Sequence, residues 1–591
     1  MNLDALPLSP FSIAFATSLK RLAPSAKDST LLAAALCCEA LEAGETALYL
    51  PPLAASQPWP ELPLHLPALP EWRQQLIEDS ALVGKPGDYK PLILRRDRLY
   101  LARYEAYEAQ LAKQLLERSQ QAAVIDKEQL KQSLNRLFGE SREQPDWQRI
   151  AAALALKNHL CLISGGPGTG KTSTVVRLLA ALLEQAGDED LSIALAAPTG
   201  KAAARMSEAI RRAKASLPLS DTLKAKLPES AQTLHRLLGS RADRPQMRHH
   251  RDNPLPLDVL IVDEASMLDL ALFAKLLDAL KANARLILLG DKDQLSAVEA
   301  GAVFADLCAG AGFTRETCTE LADLSGQRVE SQPPTSQLGE SVVLLKHSYR
   351  FSAAGGIGEL ARRINAGDSQ GTLDLLTEPS AELLWQSEPV PSELLNRLEE
   401  AFKPYLQAAA TGEPEAAFAA WSEFCLLCAG HQGAFGTKAL NEALEERFKR
   451  RQKRPTASRW YAGRALIIRR NNPTLGLFNG DIGLCLPQAD GLYVFFEQEG
   501  GFRRFSPGRL SETELAFAIS VHKSQGSEFN RVLLALPEQP SPLLSRALLY
   551  TAVTRAKSQV EIWGRRERLI EAIQTRREHY SGLSERLAFE T

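Results

Sequence analysis

The stretch Leu160-Cys-Leu-Ile-Ser-Gly-Gly-Pro-Gly-Thr-Gly-Lys-Thr-Ser173 constrains this chain more than any other. The apolar run Leu160 to Ile163 predicts a buried strand, and Ser173 to Leu183 carries apolar residues at helical spacing. Between them, Gly165, Gly170, Lys171 and Thr172 satisfy the G-x-x-x-x-G-K-[ST] spacing of a phosphate-binding loop. Glycines let such a loop turn its N–H groups inward around phosphates. The helix that follows adds partial positive charge at its N-terminus. In that frame Lys171 reaches the β- and γ-phosphates of a nucleoside triphosphate, and the Thr172 hydroxyl reaches Mg²⁺.

The segments downstream repeat the alternation. Ser192 to Ala197 is an apolar strand that ends in Pro198-Thr-Gly-Lys201 and a helix. Val259 to Val262 is a strand ending in Asp263 and Glu264, and Arg285 to Gly290 runs into Asp291-Lys-Asp-Gln294. Strands alternating with helices, each strand ending in polar residues, predict an α/β fold. Its sheet is parallel and its site lies at the strand C-terminal ends. Leu515 to His522, Val532 to Leu536 and Val560 to Trp563 predict strands of a second such core. Between Tyr461 and Leu510, short β-like runs alternate with Gly, Asn and Asp turns, which predicts a small β-barrel inserted there. Residues 352 to about 430 read as helical, and Thr317 to Glu340 as a linker or mobile loop.

The first 120 residues are mostly helical patterns, broken by seven prolines between Pro51 and Pro70. Gly87-Asp-Tyr-Lys90 resembles a fragment of a nuclease motif, but no acidic cluster stands upstream of it, and it reads as a turn. The expected division is an N-terminal domain over 1–120, a first nucleotide-binding core over 121–340 and a second core over 341–591, with the β-rich insertion at about 460–510.

Charge and cysteine content narrow the setting. With a net charge of −2 the chain is no polycation, so any nucleic-acid contact must come from a local groove and not from a global basic field. The basic run Arg447 to Arg454 reads as a solvated face, and Arg241 to Asn253 as an exposed basic loop. The eight cysteines sit mainly in apolar runs, as reduced, buried thiols do. Cys425-Leu-Leu-Cys428 lacks the second ligand pair of a zinc site. No signal peptide and no membrane span is read, so the expected location is cytoplasmic, with no membrane partner.

Hydrolysis of a nucleotide needs one carboxylate on Mg²⁺ through its water shell and another base to polarise the attacking water. Asp263 suits the first role and Glu264 the second. Arginines that neutralise transition-state charge can come from another domain. Arg350 and Arg555 are candidates, although each by itself reads as a surface arginine.

The ordered set SGGPGTGKTST, APTGKAAARM, QTLHRLLG, IVDEASM, LLGDKDQL, HSYRF, AISVHKSQGSEF and LLYTAVTRAK resembles the motifs of superfamily 1 DNA helicases. Its wording is most similar to the RecD family, over about residues 140 to 565. The resemblance implies that the two cores are RecA-like P-loop motor domains with ATP and Mg²⁺ between them, and that the N-terminal domain over 1–120 contacts partners. It implies that Gln148 reads adenine, that Gly165, Gly166, Pro167, Gly168, Thr169, Gly170, Lys171, Thr172 and Ser173 hold phosphate, and that Thr172 and Asp263 serve the metal. Glu264 is then the base, Gln294 the γ-phosphate sensor, and Arg350 and Arg555 the arginine fingers, with Gly526 and Glu528 completing the nucleotide side. Pro198, Thr199, Thr233, His235, Ser520 and His522 fall in motifs that line the single-strand groove of such helicases.

The same resemblance implies 5′→3′ movement on single-stranded and duplex-end DNA, and a heterotrimer with RecB-like and RecC-like subunits that processes double-strand breaks. The nuclease site would belong to the RecB-like partner. Longer relatives of this kind act alone and carry an extra N-terminal extension, so the short region before the motor favours the complex-bound type. Two further readings stand beside it: a stand-alone RecD-like helicase, and a P-loop assembly ATPase that never moves on DNA.

Overall fold

The computed structural model describes every residue except 1–4, 140–144, 188, 242–243, 245, 297–299, 302, 351–354, 454, 456–457, 473, 499–500, 577–579 and 590–591. Phe351, Arg454 and part of the basic loop 241–253 therefore lie outside the described residues.

The N-terminal body holds β1 (Leu48–Tyr49), β2 (Val83–Gly84), β3 (Leu92–Arg95) and β4 (Arg98–Leu101), in the order β1-β4-β3-β2. Its own core gathers Leu31, Leu32, Leu50, Trp72, Leu76 and Leu99. The helix Ala102–Ser119 follows directly on β4, and Leu111 and Leu115 on its inner face join the core of the next sheet. Arg118, at its end, donates from Nη1 to the carbonyl of Ala284 at 2.6 Å. Helix 102–119 thus belongs by packing to the first motor core, ahead of the expected boundary at 120. Gly87–Lys90 is a turn, in which Asp88 Oδ2 accepts from the Lys85 amide at 2.8 Å.

The first motor sheet comprises β5 (Leu160–Gly165), β6 (Ile193–Ala197), β7 (Gln232–Thr233), β8 (Val259–Val262), β9 (Arg285–Gly290) and β10 (Val342–Leu345). All its pairings are parallel, in the order β10-β5-β9-β8-β6-β7. Both faces are covered: Cys161, Ile163, Ile287 and Leu289 pack on one side, and Leu160, Leu162, Leu286 and Leu288 on the other. That is why these strands read as continuous apolar runs. β10 pairs with β5, so the first sheet extends past the expected boundary at 340.

Thr317 to Glu340 is not a structureless linker. Thr314 caps a helix over Arg315–Ser325, Gly326 ends it in the left-handed region at φ 69°, and Cys318, Leu321 and Leu324 line its buried face. Their three-residue spacing is the helical signal that the polar residues between them obscure.

The second motor sheet begins with β11 (Leu383–Gln386) and β12 (Phe424–Cys428). An insertion follows: β13 (Ala465–Ile468), β14 (Ile482–Gln488), β15 (Gly491–Gln498), β16 (Gly501–Phe505) and β17 (Thr513–Leu515). The sheet then resumes with β18 (Ala518–Ser520), β19 (Phe529–Ala535) and β20 (Ala556–Trp563). Its order is β11-β20-β19-β12-β18, again parallel throughout. β11 and β12 interrupt the span 352–430 that the sequence reads as helical. Cys425 and Cys428 lie buried on β12, and burial pushes both thiols well up. The insertion is an antiparallel sheet in the order β16-β15-β14-β13-β17, with Leu466, Cys485, Val494 and Phe496 in its core.

The C-terminal segment leaves the second core. Its helix Leu583–Leu587 packs with the N-terminal body and the first sheet, where the amide of Gln337 donates to the Leu587 carbonyl at 2.9 Å. Arg586 bridges Glu105 (2.6 Å) and Glu108 (3.0 Å), which corrects the assignment of this stretch to the second motor domain. No helix among the described residues is long and apolar enough to cross a membrane.

Candidate nucleotide site between two parallel sheets

The glycine loop leaves the C-terminal end of β5 and enters the helix Lys171–Ala186 through Gly170, whose φ is 80°. Thr169 Oγ1 closes the turn by donating to the Gly166 carbonyl at 2.8 Å. Lys171 Nζ donates to the carbonyls of Gly165 (2.5 Å) and Gly166 (3.3 Å), so the ammonium lies across the mouth of the loop. Two glycines are required by close approach. A Cβ at Gly168 would lie 2.3 Å from the Arg350 Cβ, and one at Gly170 would lie 2.1 Å from the Gln148 Nε2. Gln148 stands behind the loop, donating to the Thr169 carbonyl at 3.0 Å and accepting from Arg177 Nη1 at 3.1 Å.

Beside the loop, β8 delivers Asp263 and Glu264. Glu264 has φ 53°, the left-handed region, and its amide donates to Asp263 Oδ1 at 2.8 Å. Burial, and then the neighbouring Glu264, push the Asp263 carboxyl up to about 6 against the pull of Lys171. A carboxylate oxygen and the nearby Thr172 hydroxyl are hard oxygen donors on the same cleft, and that donor chemistry fits Mg²⁺. β9 delivers Asp291, whose carboxylate accepts from Gln294 Nε2 at 2.8 Å.

The other wall comes from the second sheet. Glu528 pairs with Arg350 and, at 3.1 Å, with Arg205 of the helix Gly200–Ser216. Burial opposes ionisation of Glu528, but the two arginines outweigh it and hold the carboxyl down at about 2. Arg555 is 3% exposed; its Nε donates to the Thr551 carbonyl at 3.1 Å and its Nη1 to that of Ser527 at 3.3 Å. Burial lowers its pKa, while Glu264, Asp291 and Glu528 act the other way.

These residues line one cleft of about 300 Å³. It gathers Gly166 through Ser173, Asp263, Glu264 and Gln294 from the first core, and Arg350, Gly526, Glu528 and Arg555 from beyond it. Of the residues the motifs assign to nucleotide, only Gln148 and Gly165 stand behind the lining. Arg205 lines the cleft unanticipated, although it lies inside the quoted stretch APTGKAAARM.

The residues expected along DNA are scattered by comparison. Thr199 and Thr233 act as N-caps, accepting from the amides of Ala202 (3.2 Å) and Arg236 (3.3 Å). Pro198 is half-buried at the end of β6, His235 is exposed, and His522 is half-buried. Ser520 lines a second cleft of about 360 Å³ with His431, Lys438, Arg469 and Lys523. Glu442 and Glu514 share that lining, and Glu514 pairs with Lys523; Lys523 lies in the quoted stretch AISVHKSQGSEF, but the cleft itself depends on the fold of the insertion.

Comparison with known proteins agrees with this architecture. Residues 5–100 match the family described as the RecBCD enzyme subunit RecD, N-terminal domain; residues 148–300 match an AAA domain; residues 515–562 match a UvrD-like helicase C-terminal domain. The chain is 37% identical to the RecBCD enzyme subunit RecD of Mycolicibacterium smegmatis, over 98% of this chain and 97% of that one. The subunit of the same name from Haemophilus influenzae is 34% identical over 88% of this chain and 84% of its own. The ATP-dependent RecD2 DNA helicase of Deinococcus radiodurans is 31% identical over 68% of this chain but only 46% of its own length. With a two-core nucleotide cleft and relatives matched over nearly their whole length, the chain belongs to the RecD family of RecBCD enzyme subunits.

Proposed function

We propose that this chain is an ATP-dependent 5′→3′ DNA helicase, the motor subunit of a RecBCD-type helicase-nuclease that processes double-strand breaks for recombinational repair. One observation carries the reading: the phosphate loop and the arginines Arg350 and Arg555 line the same cleft although they come from opposite sides of it. Such a cleft tightens around a triphosphate and relaxes after hydrolysis, which converts chemistry into relative motion of the two sheets.

The loop amides and Lys171 bind the β- and γ-phosphates, and Gln148 reads the adenine edge once its amide leaves the Thr169 carbonyl and Arg177. Thr172 and Asp263 would hold Mg²⁺, which when bound would supply charge that neutralises the phosphates. Glu264 orients the attacking water and takes its proton. Gln294 contacts the γ-phosphate, and Arg350 and Arg555 neutralise charge in the transition state. Glu528 and Gly526 hold the arginine wall in place.

Single-stranded DNA runs across both cores, past Pro198, Thr199, Thr233 and His235 on the first and Ser520 and His522 on the second. Lys438 and Lys523, in the second cleft, suit sequence-independent phosphate contact. The β-rich insertion is barrel-like and belongs to the second motor domain, which starts beyond Leu345. The N-terminal body contacts RecB-like and RecC-like subunits, the nuclease site is the partner's, and the complex is cytoplasmic. The names of the relatives support the complex and the helicase activity.

The test is strand-specific translocation by the assembled complex carrying Lys171→Gln. Loss of the motor on the 5′-ended strand is expected. Unchanged unwinding on that strand, or hydrolysis that single-stranded DNA fails to stimulate, would overturn the reading and favour an assembly ATPase.

A further inference from the structure

Asp291 and Tyr550 are far apart in the chain, yet the Tyr550 hydroxyl donates to Asp291 Oδ2 at 3.0 Å. The same oxygen accepts from Gln294 Nε2 at 2.8 Å. Two donors on one carboxylate oxygen, one from each core, fix the rotation of that carboxylate and with it the side chain of Gln294. Burial, and then Asp291 itself, push the Tyr550 phenol well above its ordinary range, so it keeps the proton it donates.

The neighbours of this contact extend it in both directions. A Cβ at Gly166 would lie 2.7 Å from the Tyr550 oxygen, so the phenol rests against the phosphate loop. The next residue, Thr551, accepts at its Oγ1 from the amide of Leu295 at 2.9 Å, and Gln525 Nε2 donates to the Leu295 carbonyl at 2.7 Å. The segment Asp291–Leu295 is thus gripped at both ends by the second core. Tyr550 also shares its helix, Arg546–Val553, with the carbonyl of Thr551 that anchors Arg555.

We propose that Tyr550 is a positioning residue that sets the orientation of Gln294 through Asp291, and does so only while the two cores are together. The proposal rests on the reading of Gln294 as the γ-phosphate contact. Opening the cleft withdraws the phenol and leaves Asp291 Oδ2 with Gln294 as its one donor, while Oδ1 still accepts from the Asp293 amide at 3.1 Å. Gln294 is then free to turn away from the nucleotide. Phosphate contact is thereby made dependent on closure, in addition to the dependence that the arginines impose.

The experiment is a double-mutant cycle on the full chain, with DNA-stimulated ATP hydrolysis as the readout. Tyr550→Phe keeps the ring and removes the hydroxyl. It should lower kcat about tenfold, the scale of one hydrogen bond to a charged group, and leave the KM for ATP within about twofold. Gln294→Ala should lower kcat by at least as much, and adding Tyr550→Phe to it should cost little more, because the two act as one unit. Asp291→Asn, which removes the charge both donors share, should follow the same non-additive pattern and keeps the test valid should Tyr550→Phe fold poorly. Wild-type kcat in Tyr550→Phe, or losses that multiply in the double variant, overturn the proposal while leaving the role of Gln294 standing. Full activity of Gln294→Ala overturns both.

Discussion

Arg205 of the first core and Glu528 of the second are joined across the nucleotide cleft at 3.1 Å, and Arg205 also donates from Nη1 to the Gly526 carbonyl at 2.6 Å. Arg350 shares the same carboxylate. One acid therefore orients two arginines that line the cleft. Glu528→Gln should raise the KM for ATP several-fold, read from steady-state hydrolysis with saturating single-stranded DNA. Because its carboxyl is held down at about 2, below its ordinary 4.5, the stability this acid contributes is fully present above pH 4.5 and is lost as pH falls through about 2. The difference in melting temperature between wild type and Glu528→Gln should therefore stay flat from pH 6 to pH 9.

Gly168 tests the loop itself. Its φ of 78° disfavours a side chain, and a methyl would lie 2.3 Å from the Arg350 Cβ. The Gly168 carbonyl also accepts from the Tyr349 amide at 2.8 Å. Gly168→Ala should weaken ATP binding at least about tenfold, the scale of the left-handed penalty before any clash is counted. Binding of a fluorescent ATP analogue measures it, and unchanged affinity would contradict the close approach.

The raised pKa of Asp263 has two signatures. Proton and Mg²⁺ compete for the same carboxylate, so hydrolysis should fall as pH drops below about 6, and added Mg²⁺ should move that midpoint lower. The folded state holds this proton more tightly than the unfolded chain, whose ordinary value is 3.8. Ionisation in the fold therefore costs stability, a cost absent below 3.8 and complete above about 6. Without nucleotide, Asp263→Asn should melt higher than wild type at pH 8, lose that advantage toward pH 4, and hydrolyse no ATP. A lower melting temperature at pH 8 would refute the electrostatic account.

Arg586 holds two buried acids, Glu105 at 5% and Glu108 at 1% exposure. Glu108 Oε1 also accepts from the Tyr100 hydroxyl at 3.2 Å, and its Oε2 from the Gly582 amide at 3.2 Å. Removing the cation strands both charges, and Arg586→Ala should cost about 3–5 kcal/mol of unfolding free energy. Urea titration followed by tryptophan fluorescence checks it, and a loss under about 1 kcal/mol would mean that the pair is screened by water.

The parts legible in the sequence are those whose signal is local. The loop, the strands ending at Asp263 and Asp291, and the runs of the insertion each announce themselves within a dozen residues. β11 is short and flanked by helices, and β12, Phe-Cys-Leu-Leu-Cys, is an apolar run that fits a helix or a buried strand equally. The helix Arg315–Ser325 was hidden by polar residues on its outer face. Nothing local pairs Arg205 with Glu528 or Tyr550 with Asp291, since those contacts exist only once two separately folded sheets meet.

The return of the C-terminal helix to the N-terminal body alters the mechanics of the motor. The chain enters the second sheet's core after Leu345 and leaves it after Gln574, so that core is attached at two places and not one. Any relative motion of the two cores must therefore be accommodated by both connections at once, where a single connection would constrain it less.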